Sequence, residues 1–137
     1  SSGISEHQSK RLTLEALVAK AEQRRQEKFE THQVEVPSLG GALQLEKIPL
    51  TRIASMMDDL GDTSMAANLA FNVDLIYACC PMLHSKKLLD AYEVLAPTDI
   101  VCAVLGDNMA EINRIVTAIL DMYGLADATG IKDAVKN

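Results

Sequence analysis

The chain has 137 residues, 48% of them hydrophobic, and a formal net charge of −6. That is long enough for one domain with a real core and too apolar for a disordered acidic chain. Residues 6–30 carry six Lys/Arg against five Asp/Glu, and residues 31–137 carry seven against fourteen; an acidic body without a basic stripe argues against nucleic acid as a partner.

Ser1-Ser2-Gly3 read as a tag scar and residues 1–11 as a flexible N-terminus. Residues 12–29, "LTLEALVAKAEQRRQEKF", read as a helix. Leu14, Leu17, Val18 and Ala21 recur at helical spacing, and strong helix formers fill the gaps. The apolar stripe stops after Ala21. The polar half that follows is either a solvated extension or a face that waits for a partner, which makes Arg24, Arg25 and Lys28 candidate partner-binding residues.

"HQVEVPSLGGALQLEKI" reads as a β-hairpin. Val34 and Val36 alternate with polar residues, Leu43, Leu45 and Ile48 do so more loosely, and Gly40 and Gly41 are expected to supply the positive φ angles of the connection. Pro49 is expected to end the second strand. A two-stranded ribbon is marginal in water by itself, and an open strand edge pairs readily with another chain. Val34 and Val36 are therefore further candidates for partner binding, and self-association through this edge is open.

Beyond Thr51 the period turns helical. Ile53, Met56, Met57 and Leu60 share a face that Gly61 closes, with the two Met read as core. Asp62 or Thr63 is expected to cap the next helix, about 64–80, whose apolar residues on more than one side mark it as central and buried. Pro81 breaks it. Ser85 caps a short helix through Tyr92, Pro97 starts another, Gly106 closes that one, and Asp107 caps the last long helix. Ile112, Ile115, Val116, Ile119, Leu120 and Tyr123 line that helix, and Gly124 stops it. The fold class expected is mainly α (α+β), a compact helical domain of five or six helices with one β-hairpin near the N-terminal third. It spans residues 12–125, and 126–137 form a weakly ordered tail.

Little in the pattern asks for a catalyst. Three Cys, none spaced C-x-x-C, fit a reducing compartment better than a disulfide framework. Cys79 and Cys80 are adjacent, so on a helix their side chains diverge by about 100° and cannot easily share one tetrahedral metal. A nucleophilic dyad of Cys79, Cys80 or Cys102 with His84 would need a tertiary coincidence, and "SLGG" lacks the lysine and spacing of a phosphate-binding loop. The carboxylates Asp58 and Asp59 read as a solvated helix end. No catalytic residue, metal or cofactor is expected. No apolar run approaches the roughly 18 residues of a membrane span, and no signal-peptide pattern opens the chain, so a cytosolic protein is expected.

The order of pieces resembles a known family. A charged "LTLEALVAKAEQRRQEK" helix leads into "VEVPSLGGALQLEKIPLTRIASMMDD", then "NVDLIYACCPMLHSKKLLDAYEVLAPTDIVCAVL" and a last helix ending "ILDMYGL". Over roughly residues 12–125 this resembles the XkdN-like tail assembly chaperones of long-tailed phages and prophages of Gram-positive bacteria. The most specific stretch is the spacing of Tyr77, Cys80, Pro81, Leu83, Leu88, Ala91, Tyr92, Pro97, Asp99, Ile100 and Val101. The resemblance implies a non-catalytic protein of the host bacterial cytoplasm, absent from the mature virion. Its implied partners are the tape measure protein, the tail tube protein and a frameshift-extended form of itself. The rival expectation is a structural tail component, a tube or connector accessory retained in the virion.

Overall fold

The computed structural model describes residues 11–27, 32–61 and 64–125. Among them the chain forms six α-helices and one antiparallel hairpin, a mainly helical fold with a small β element. In order these are α1 (Leu14–Glu27), β1 (His32–Val36), β2 (Gly41–Leu45), α2 (Leu50–Asp58), α3 (Met65–Cys79), α4 (Lys86–Ala91), α5 (Asp99–Val104) and α6 (Met109–Asp121). The chain divides into two units, Ser1–Glu30 and Thr31–Asn137.

In the first unit, Thr13 opens α1 by accepting the Ala16 N–H on its Oγ1 at 3.1 Å, which satisfies one of the donors a helix start leaves unpaired. Arg24 pairs with Glu27, and Arg25 with Glu22, on the polar side. No residue of α1 is buried.

The second unit begins with the hairpin, Val34 opposite Leu43 and Val36 opposite Gly41. Val34, Val36, Leu43 and Leu45 are buried and their neighbours Gln33, Glu35, Ala42 and Gln44 are exposed, the two-residue period of a strand with one covered face. A 3-10 turn, Pro37–Leu39, joins the strands, and the Gly40 N–H donates to the Pro37 carbonyl at 3.1 Å. Only Gly40 lies at positive φ, 70°; Gly41 already belongs to β2. A four-residue connection built on a right-handed turn needs one left-handed residue, not the two of a tighter hairpin.

β2 stops before Pro49, because the Glu46 N–H leaves the sheet and donates to the Cys79 carbonyl at 2.8 Å. Pro49 instead stands at the N-cap of α2. In α2 only Ile53 is buried; Met56 packs partly against the core, whereas Met57 is exposed, contrary to the core reading of the pair. Asp62 and Thr63 lie outside the described residues. The cap of α3 is Ser64, which accepts the Ala67 N–H. Only the second half of α3 is central: Asn72, Leu75, Ile76 and Cys79 are buried, while Met65 is 78% exposed.

After Pro81 a 3-10 turn carries the buried Leu83, and Ser85 caps α4 as its position suggests. Pro97 precedes α5 instead of starting it, since the Ile100 N–H turns back onto the Pro97 carbonyl in a three-residue turn. Asn108, not Asp107, caps α6: its side chain accepts the Glu111 N–H at 3.2 Å, while Asp107 sits one residue early at φ 55°. The apolar face of α6 (Ile112, Ile115, Val116, Ile119, Leu120) is buried against α3 and the hairpin. Residues 126–137 lie outside the described residues.

Two side-chain ties join the segment around the hairpin to the two ends of α6 and the turn that follows it. Tyr123 Oη donates to the Ile48 carbonyl at 2.7 Å and accepts the Ile48 N–H at 2.6 Å. At the other end the Glu111 carboxylate accepts the Ser38 N–H at 2.9 Å and the Ser38 hydroxyl. Those bonds favour the ionised carboxylate and hold Glu111 below its ordinary range. A carboxyl whose folded-state pKa is depressed adds stability above its unfolded value and loses it as pH falls through the folded value. Glu111→Gln is therefore expected to melt below the parent near neutral pH, with the gap closing as the pH drops through the carboxylate range. Thermal melts across that range check it; a gap that does not change with pH removes Glu111 from the acid response.

Candidate functional site

The residues with chemical potential gather at the end of α3. Cys79 and Cys80 are fully buried. Cys79 closes the helix, and Cys80 takes the extended conformation (φ −122°, ψ 86°) that a following proline imposes. Burial pushes the Cys79 thiol up to about 11, against the pull of the Arg52 charge and a hydrogen bond with Tyr123. Burial, then the neighbouring Cys79, pushes Cys80 up to about 12. Cys102 is half-buried and is also raised, by burial and then by Asp107 and Asp99.

His84 engages Tyr77. Its Nε2–H donates to the Tyr77 carbonyl at 2.6 Å and its ring lies 4.3 Å from the Tyr77 ring. Among the described residues no three His, Cys, Asp or Glu gather to hold a metal ion. The arrangement keeps the sulfurs as neutral packing groups, because a thiolate is the reactive form and burial disfavours it. Cys79 and Cys80 are expected to stay unmodified by a thiol reagent near neutral pH until the protein unfolds, and Cys80→Ser to lose about 1–3 kcal/mol of stability by burying an ill-matched hydroxyl. Thiol titration with and without denaturant, and a denaturant melt of the variant, measure both. Rapid labelling of the folded protein at Cys80 would contradict the packing role.

The candidate partner-binding residues scatter. Arg24 and Arg25 are exposed on α1 and engaged with Glu27 and Glu22 of the same helix. Lys28 lies outside the described residues. Val34 and Val36 are 7% and 0% exposed, so their side chains face the core and are not available to a partner. The burial follows from the packing of α6 against β1. What remains at this strand is its backbone: among the described residues the sheet has two strands, and each keeps an outer edge.

Sequence reasoning passed over two surfaces. On α1, Leu14, Leu17 and Val18 form an apolar stripe at 72, 55 and 63% exposure; its helical spacing is visible in the sequence. The second is a groove of about 700 Å³ on the helical body. Ala66, Leu69, Ala70 and Val73 of α3 line one side, and Cys102 and Ala103 of α5 line the other. Tyr92, Val94 and Leu95 flank it from the α4–α5 connection, with Leu95 wholly exposed. Its charged lining residues are Asp74, Glu93, Asp99 and Asp107, all acidic.

Among the described residues no helix is long and apolar enough to cross a membrane. Compared with protein-family models, with curated proteins and with solved structures, the chain matches none.

Proposed function

We propose that this chain is a non-catalytic tail assembly chaperone of a phage or prophage. It binds the tape measure protein and helps recruit tail tube subunits, works in the host bacterial cytoplasm and is left out of the finished virion. The resemblance along residues 12–125 suggests the role, and the helical fold with one hairpin is compatible with it. The observation that carries the binding part is the first half of α1, whose Leu14, Leu17 and Val18 are all exposed. A helix of this length is marginal in water without tertiary packing, and such a stripe is the surface by which one amphipathic helix covers another. A tape measure protein, long and helical, supplies a complementary stripe.

One observation favours the rival reading of a structural tail component: the sheet has two strands among the described residues, and a strand edge can add one from a neighbouring subunit. Co-expression with the tape measure protein of the same tail gene cluster separates the two. A chaperone makes the client soluble and co-purifies with it. A client that stays insoluble, while this chain assembles with tube subunits into particles, overturns the proposal and leaves the structural reading.

A further inference from the structure

The groove between α3 and α5 combines three features. Its two sides carry small side chains, Ala66 and Ala70 on α3 and Ala103 on α5, which let another backbone approach closely. Its flank exposes large apolar groups, Leu95 entirely and Tyr92 at 45%. The charged groups that line it, among the described residues, have one sign. Asp99 accepts the Ala96 N–H and so serves the loop; Asp74, Glu93 and Asp107 complete the acidic lining.

Two of these acids also occupy unfavourable backbone. Glu93 and Asp107 are the non-glycine residues at positive φ among those described, at 53° and 55°. Glu93 stands where α4 ends, with the Val94 N–H returning to the Leu89 carbonyl. Gly124 fills the equivalent place after α6, with the Leu125 N–H returning to the Leu120 carbonyl. Glycine is the residue that fits this conformation without strain. A glutamate there gives up stability, and strain of this kind collects at binding surfaces.

We propose that the groove binds an amphipathic α-helix of a partner protein, laying apolar side chains between Ala66 and Ala70 on one side and Ala103 on the other and placing Lys or Arg against Asp74, Glu93 and Asp107. The charge complement chooses this occupant: an acidic or neutral helix would leave the acidic lining unpaired or repelled, and a nucleic acid would be repelled outright. The groove is a different surface from the α1 stripe, so this inference does not depend on the tail-assembly reading.

The test uses the full chain and a panel of fluorescently labelled helical peptides with Leu/Ala stripes in different registers, each made with flanking Lys and again with Glu in place of every Lys. At least one Lys peptide is expected to bind by anisotropy, with its Glu twin roughly tenfold or more weaker and with affinity falling as salt rises. Ala70→Arg and Leu95→Ser, both at exposed positions, are expected to abolish or strongly weaken binding while the circular dichroism melt stays at the parent temperature. Glu93→Gly is expected to raise the melting temperature and lower the affinity, a pairing that a purely structural role for Glu93 does not produce. Equal binding of Lys and Glu twins, no binding across the panel, or indifference to both groove variants each overturns the proposal. So does a full-chain dimer by light scattering that Ala70→Arg dissolves, since that would seat a second copy of this chain in the groove.

Discussion

Ile115→Ala is expected to lower the free energy of unfolding by about 2–5 kcal/mol, the range for truncating a fully buried aliphatic side chain. Ile115 is 0% exposed on the inner face of α6, in the same core as Leu75 and Ile76 of α3 and Val36 and Leu45 of the hairpin. The loss has two parts: the apolar surface no longer removed from water, and the cavity that neighbours on rigid helices cannot close. A natural domain has only about 5–15 kcal/mol in total, so this single change takes a large share of it. Met65→Ala is the control: the same helix pair is involved, but Met65 is 78% exposed, and the change is expected within about 0.5 kcal/mol of zero. Urea melts of the two variants decide it. If Ile115→Ala cost no more than Met65→Ala, α6 would not be the centre of the core.

The second large effect is expected on function with stability left alone. Replacing Leu14, Leu17 and Val18 together by Ser is expected to send a co-expressed tape measure protein into the insoluble fraction, while the melting temperature of this chain stays put. All three side chains are exposed, so the folded protein loses little when they go. Covered by a client helix they would contribute about 1.5–3 kcal/mol each at full burial, and losing even part of that over three positions weakens binding by orders of magnitude. Arg24→Ala with Arg25→Ala should do far less, because both guanidinium groups are exposed and paired within α1. A triple variant that still keeps the client soluble would move client binding to another surface.

The hairpin and the long helices were readable from local pattern. Val34, Val36, Leu43 and Leu45 alternate, and α6 repeats its apolar residues over four turns, because a strand or helix with one covered face writes its period into the chain. Helix ends were less legible. Asp107 and Asn108 are both good caps on paper, and the choice fell to Asn108 because Gly106 and Asp107 are consumed by the left-handed exit from α5. Pro49 reads as the end of β2 but stands at the N-cap of α2, and Pro97 reads as the first residue of α5 but lies just ahead of it. Alternation says that one face of a strand is covered but not what covers it, so the burial of the Val34 and Val36 side chains under α6 was not legible, and a partner role for this strand rests on its backbone.

Sequence alone determined which segments are helix and which are strand, the apolar face of each, and the acidic balance of the body, since these depend on residues a few positions apart and on composition. Tertiary structure decided what lies at long range. Ser38 meets Glu111, Ile48 meets Tyr123, and residues from α3, α5 and the α4–α5 connection enclose one acidic-lined groove. The physical reason is separation along the chain: no local period records which distant groups will share a hydrogen bond or a surface, because those pairings exist only after the core has brought the elements together.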